Sequence, residues 1–251
     1  MRTLKLTIAY DGTRYAGWQV QRQGRTAGRP TIQETLERVL GRILQERVAV
    51  TASGRTDAGV HALAQVAHIK VRNPMPAERL LRSVNQLLPA DVAVLRIEPA
   101  PAGFHARFQA RSKRYRYRIF LGPAVPPFDR LYVWHVRMPL NLALMRREAA
   151  GLAGRHNFKA FAIARPHGTT VRTITRVSLA RRGEELWIEI EGDGFLHTMV
   201  RSIAGTLVDA GRGRLPAGTI RRMLARGDRA LAGATAPAQG LALVSVTYRG
   251  R

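Results

Sequence analysis

Residues 31–44 read Thr-Ile-Gln-Glu-Thr-Leu-Glu-Arg-Val-Leu-Gly-Arg-Ile-Leu. Thr31 and Glu34 stand in the spacing of a capping box. Ile32, Leu36, Val39, Leu40, Ile43 and Leu44 then recur at helical intervals, so the segment predicts an amphipathic helix that starts at Thr31. What flanks that helix decides the fold. Upstream, residues 3–10 (TLKLTIAY) alternate apolar and polar, the pattern of a half-buried strand. Downstream come strand-like segments at 47–53 and 63–70. A second helix is signalled by Pro76 followed by Leu80, Leu81, Val84, Leu87 and Leu88, and residues 91–98 (DVAVLRIE) close the set as a strand. The order is β-α-β-β-α-β, the split βαβ or ferredoxin-like arrangement.

The second half repeats that order in topology without repeating the sequence. Strands are expected at 112–121, 171–181, 185–192 and 241–248, and helices at 141–153, 195–210 and 218–226. Between them lie a Pro-rich connection at 122–130 and an Ala/Gly loop at 227–240. The expectation is an α+β protein of two ferredoxin-like (βαββαβ) halves, residues 1–105 and 106–251. Their antiparallel sheets join side by side, with a basic cleft between them.

Composition narrows the function classes. The chain has 251 residues, 45% of them hydrophobic, enough for a sizeable interior. No apolar run approaches the roughly 20 residues that span a bilayer, and no leader pattern precedes the first strand. These features predict a cytoplasmic protein with no membrane association. With no cysteine, disulfides, thiol nucleophiles and Cys-ligated zinc are excluded. Lys plus Arg is 41 against 17 Asp plus Glu, a formal net charge of +24. Only Lys5, Lys70, Lys113 and Lys159 are lysines, an arginine bias that a GC-rich genome also produces. The shortage of acidic residues is not explained that way, and it points to a polyanion, above all a nucleic acid.

Residues 53–60 (SGRTDAGV) form a Gly-bracketed loop between two expected strands. Asp57 within it has a plain explanation, because Asp and Gly are ordinary turn residues. Arg55, two residues earlier, supplies a second reading: a cation beside a carboxylate keeps it ionised and oriented, fit to act as nucleophile or base. Tyr115 and Tyr117 alternate with Arg114, Arg116 and Arg118, as on any half-buried strand with a basic face. His197 and Arg201 stand four apart on an expected helix and so share one face. Trp18, in a loop, reads equally as a packing plug.

Gly54-Arg55-Thr56-Asp57-Ala58-Gly59-Val60-His61 resembles the active-site motif of the bacterial tRNA pseudouridine synthase A family. Further islands follow in family order. They are Tyr10-Asp11-Gly12-Thr13, Gly17-Trp18-Gln19, Ile32-Gln33-Glu34, Phe104-His105-Ala106-Arg107-Phe108, Lys113-Arg114-Tyr115-Arg116-Tyr117, Phe195-Leu196-His197 with Met199-Val200-Arg201, and Thr235-Ala236-Pro237 with Gly240-Leu241. The resemblance implies isomerisation of uridine to pseudouridine at positions 38–40 of the tRNA anticodon stem-loop by a homodimer, without metal or cofactor. It implies Asp57 as the catalytic aspartate and Tyr115 as the tyrosine that packs on the target base. It implies Arg55 as the arginine that opens the RNA and Arg201 as the helix arginine that pairs with the catalytic carboxylate. One departure is the loop from Gly24 to Pro30, longer than the family pattern.

Three rival readings stay open. The same chemistry on another RNA would leave a nearly identical sequence. A non-catalytic RNA-binding or chaperone module would use similar sheets, but the RRM signature is missing and Asp57 has no purpose there. A nuclease would need a carboxylate cluster for a metal pair, and none is evident.

Overall fold

The computed structural model describes residues 1–19, 28–163 and 168–248. Gly24–Ala27 of the longer loop therefore lie outside the described residues. The chain divides into two compact units, Met1–Arg111 with Leu243–Arg251, and Ser112–Ala242.

The first unit opens with β1 (Arg2–Tyr10), followed by α1 (Ile32–Leu44), β2 (Thr51–Ala52), β3 (His61–Val71), α2 (Ala77–Leu87) and β4 (Val92–Ala100). This is the expected β-α-β-β-α-β order. Strand β1 lies between β3 and β4 and runs antiparallel to both, as the split βαβ arrangement requires. Thr31 caps α1 by accepting the Glu34 N–H at 3.2 Å. The helix buries Ile32, Thr35, Leu36, Val39, Leu40 and Leu44, and Ile43 stays half-exposed. Strand β3 does not alternate: Gln65–Ile69 are buried without interruption. A strand covered on both faces has this pattern.

The second unit holds β5 (Ala110–Phe120) from Ser112 on, β6 (Trp134–His135), α3 (Leu142–Ala150), β7 (Gly154–Asn157), β8 (Val171–Arg182), β9 (Glu185–Gly192), α4 (Met199–Gly211) and α5 (Thr219–Arg226). Its strands follow the order β5-β9-β8-β7, each pair antiparallel, with β6 parallel to β5. The last strand, β10 (Leu241–Tyr248), leaves the second unit after Ala242 and continues in the first, where it is the neighbour of β3. In chain order, β5-α3-β8-β9-α4-β10 repeats the β-α-β-β-α-β series of the first half.

Two details differ from the sequence reading. The helix expected from residue 195 begins only at Met199, because Thr198 adopts a left-handed φ of 61° and breaks the turn. His197 thus precedes α4 and does not share a helical face with Arg201. The short strands β2, β6 and β7 replace longer runs or loops, since two to four residues carry no readable alternation. Among the described residues no helix is long and apolar enough to cross a membrane.

Candidate active site

The loop 53–60 joins β2 to β3, and side chains from outside it fix its course. Buried Gln65, on β3, accepts the Ser53 hydroxyl at 2.7 Å and the Val66 N–H at 3.1 Å through one oxygen, and donates its amide to the Gly54 carbonyl at 2.9 Å. Thr56 is buried and shares a 2.9 Å hydrogen bond with the Tyr10 hydroxyl at the end of β1. Burial pushes the Tyr10 pKa up to about 12, against the opposing effect of hydrogen bonds with Thr56 and Gln65. The phenol therefore stays neutral at any physiological pH.

A second loop backs the first. The Trp18 N–H donates to the Thr56 carbonyl at 3.1 Å, and the Gly12 N–H donates to Nδ1 of His61 at 3.1 Å. Gly17 has φ +93°, and a Cβ there would sit 2.6 Å from the Thr56 carbonyl oxygen. Only glycine lets the two loops approach so closely. Trp18 is buried and packs at 6.0 Å on Tyr10, so its packing reading is the correct one. Asp91 anchors the far end of this second loop through the Tyr15 hydroxyl at 2.6 Å and the Arg14 guanidinium.

Asp57 sits half-buried on this braced loop, its carbonyl accepting the Val60 N–H at 3.1 Å to close the turn. Arg55 is exposed. Ser53 and Thr56, the buried positions on either side of Arg55, are tied down by Gln65 and Tyr10.

Tyr115 and Arg201 belong to the second unit. Tyr115 lies on β5 opposite Ile190, 7% exposed, with Phe195 edge-on at 5.1 Å and 79°. Tyr117, two residues on, is wholly buried and donates its hydroxyl to the Pro237 carbonyl at 2.7 Å. Burial drives its pKa far above the usual tyrosine value. Two arginines on the other face of β5 are spent locally. Arg116 pairs with Glu189 at 2.7 Å and lies 3.9 Å over Trp187, while Arg118 binds Glu185 and Asp129.

Helix α4 is buried at every residue except Arg201, which is partly exposed. A helix apolar nearly all round belongs inside the protein, and here its one open position carries a guanidinium. Segment 234–236 holds that position: Arg201 Nε donates to the Ala236 carbonyl at 2.9 Å, and the Ala236 N–H donates back to the Arg201 carbonyl at 3.1 Å. Arg229 secures the same segment, donating to Ser202 Oγ at 2.8 Å and Thr235 Oγ1 at 3.0 Å. The sequence reading missed Tyr10, Gln65 and Arg229. Only the placing of Tyr10 and of Thr235-Ala236 in family islands hinted at any of them.

The family model described as tRNA pseudouridine synthase matches residues 6–109 and 149–249. The chain belongs to the tRNA pseudouridine synthase family. As a member of that family it is an isomerase acting on tRNA. The tRNA pseudouridine synthase A of Pelobacter propionicus is 47% identical over 249 residues, covering 99% of this chain and 100% of that one. Those of Geotalea daltonii and Geobacter sulfurreducens are each 44% identical with the same coverage. Both stretches of the family match take in site residues: Arg55 and Asp57 fall in the first, Arg201 and Ala236 in the second.

Proposed function

We propose that this synthase isomerises uridine at positions 38–40 of the tRNA anticodon stem-loop, with Asp57 as the catalytic group. One observation carries the assignment to Asp57: buried side chains from two other segments brace its loop. A plain turn needs only its own backbone bond, here Val60 to Asp57. Gln65, Tyr10 and the Trp18 backbone do more than make a turn; they hold Gly54 and Thr56, the stretch that leads into the carboxylate. Such supported placement is what a reacting group requires.

The reaction breaks the N1–C1′ bond, turns the uracil and rebonds it through C5. The C5 proton leaves and N1 gains one, so the product is an isomer and no redox partner is consumed. The base must first leave its stack, at a cost of a few kcal/mol. In this reading exposed Arg55 fills the space that the base vacates. Tyr115, its ring fixed by Phe195, packs on the base, and Arg201 binds the substrate from α4. The protein works as a homodimer in the cytoplasm.

The test is pseudouridine mapping by carbodiimide labelling and primer extension on unmodified tRNA transcripts, without added metal or cofactor. Wild type should modify the 3′ side of the anticodon arm. Asp57→Asn should bind the transcript with wild-type affinity and lose turnover by at least a thousandfold. A folded Asp57→Asn protein that loses binding as well would return Asp57 to a turn role. Product elsewhere in the RNA would overturn the position.

A further inference from the structure

The loop 104–109 shows an exposed aromatic ring for which the reaction supplies no use. Phe104 and Ala106 anchor it. Phe104 is buried against Tyr248 at 5.2 Å and His68 at 6.1 Å. The Ala106 N–H donates to Nδ1 of His68 at 3.2 Å, and its carbonyl accepts the Tyr248 hydroxyl at 2.8 Å. Gln109 closes the turn, donating its backbone N–H to the His105 carbonyl at 3.1 Å and its side-chain amide to the Gly103 carbonyl at 3.2 Å. Nδ1 of His105 accepts the N–H groups of Arg107 and Phe108 at 3.2 and 3.4 Å.

These bonds fix the loop in a shape that leaves Phe108 77% exposed. The ring is not bare on every side. His105 stacks on it with centroids 4.2 Å apart and planes 30° off parallel, and the Arg107 guanidinium lies 5.8 Å from its centroid. Arg107 is itself exposed. A short ring column thus ends in open solvent beside one cation. Every nucleobase has a flat π-face and carries a phosphate one sugar away, so an unpaired nucleotide matches both parts. A protein partner would use the apolar ring but has no general need of the stacked imidazole and the adjoining guanidinium.

We propose that Phe108, backed by His105 and flanked by Arg107, is a stacking site for one unpaired nucleotide of the RNA substrate. The proposal rests on tRNA being that substrate.

Fluorescence anisotropy with a labelled tRNA transcript at fixed salt tests it on Phe108→Ala, Phe108→Leu and Phe108→Trp. The ring is exposed, so all three should keep the wild-type thermal midpoint. Loss of one stacked base should raise Kd about 5- to 100-fold in the Ala and Leu variants. The Trp variant should bind as wild type, with its tryptophan emission quenched by RNA. Ala binding within twofold of wild type overturns the site, and so does Leu binding like wild type, which needs bulk and not stacking. Weaker binding that coincides with a lower molecular mass by light scattering also overturns it and assigns the ring to a protein interface. Pseudouridine formation by wild type is measured alongside. Its absence would sink the reaction proposed above and leave the stacking measurement standing.

Discussion

His68 lies beneath the loop of Phe108, 5% exposed, with Nδ1 accepting the Ala106 N–H. That bond exists only while Nδ1 is unprotonated. Burial lowers the His68 pKa below its usual 6.5, helped by His105 and Lys70 nearby and opposed by a backbone hydrogen bond with Thr51. The native state therefore holds fewer protons on this ring than the unfolded chain. Its contribution to stability is complete above about pH 6.5 and is lost as pH falls through the lowered value. Thermal midpoints measured from about pH 7.5 down to 5 should fall for wild type. In His68→Gln, whose amide oxygen accepts the same N–H without titrating, the fall should be shallower. Equal slopes would show that His68 is no part of the acid response. None of this was legible beforehand, because His68 looks like one more residue of a strand. The loop that carries Asp57 was legible through its bracketing glycines. Its supports were not, since Tyr10 and Thr56 meet across 46 residues of chain and Gln65 reads only as a polar residue in β3.

At the scale of elements, α4 shows how closely one segment can lie on a helix. A Cβ added at Gly205 would fall 1.7 Å from the Ala234 carbonyl oxygen and 3.0 Å from the Ala236 nitrogen. Both atoms are backbone, so no side chain can swing aside. Buried Asp209 holds the same segment one turn on, accepting the Ala234 N–H at 3.0 Å. Gly205→Ala should destabilise the protein by about 1–3 kcal/mol or more, as overpacking does, and should weaken the Ala236 grip on Arg201. Urea unfolding gives the first effect and tRNA turnover the second; a neutral variant would mean that the segment shifts freely. Most elements were readable from pattern because their caps and periods agree, as at Thr31, whose side chain accepts the Glu34 N–H. The start of α4 was misread because Phe195, Leu196 and Met199 continue its apolar period through a residue whose backbone is left-handed.

For the whole molecule the governing quantity is charge. A formal +24 suggests a surface that binds phosphate everywhere, but β9 answers β5 with Glu185 and Glu189, which pair with Arg118 and Arg116. Those arginines fasten two strands together. If about 6–10 phosphates are neutralised elsewhere, tRNA affinity should drop roughly 10³- to 10⁵-fold between 50 and 200 mM salt. Arg116→Ala should leave the slope of log Kd against log salt as it is in wild type, because that guanidinium is already paired with Glu189 and stacked on Trp187. A slope reduced by about one would count Arg116 among the phosphate contacts after all.

The placing of β10 bears on how the chain comes into being. The first unit is written ahead of the second but includes strand residues from Leu243 on, roughly 130 residues after Arg111. At ribosomal speeds that gap takes roughly 7 to 25 seconds to translate. Through that interval β3 waits without β10, and the part of its edge that β2 does not cover is open to whatever else can pair with it. Domains generally fold in the order of their synthesis; here the earlier one is completed last.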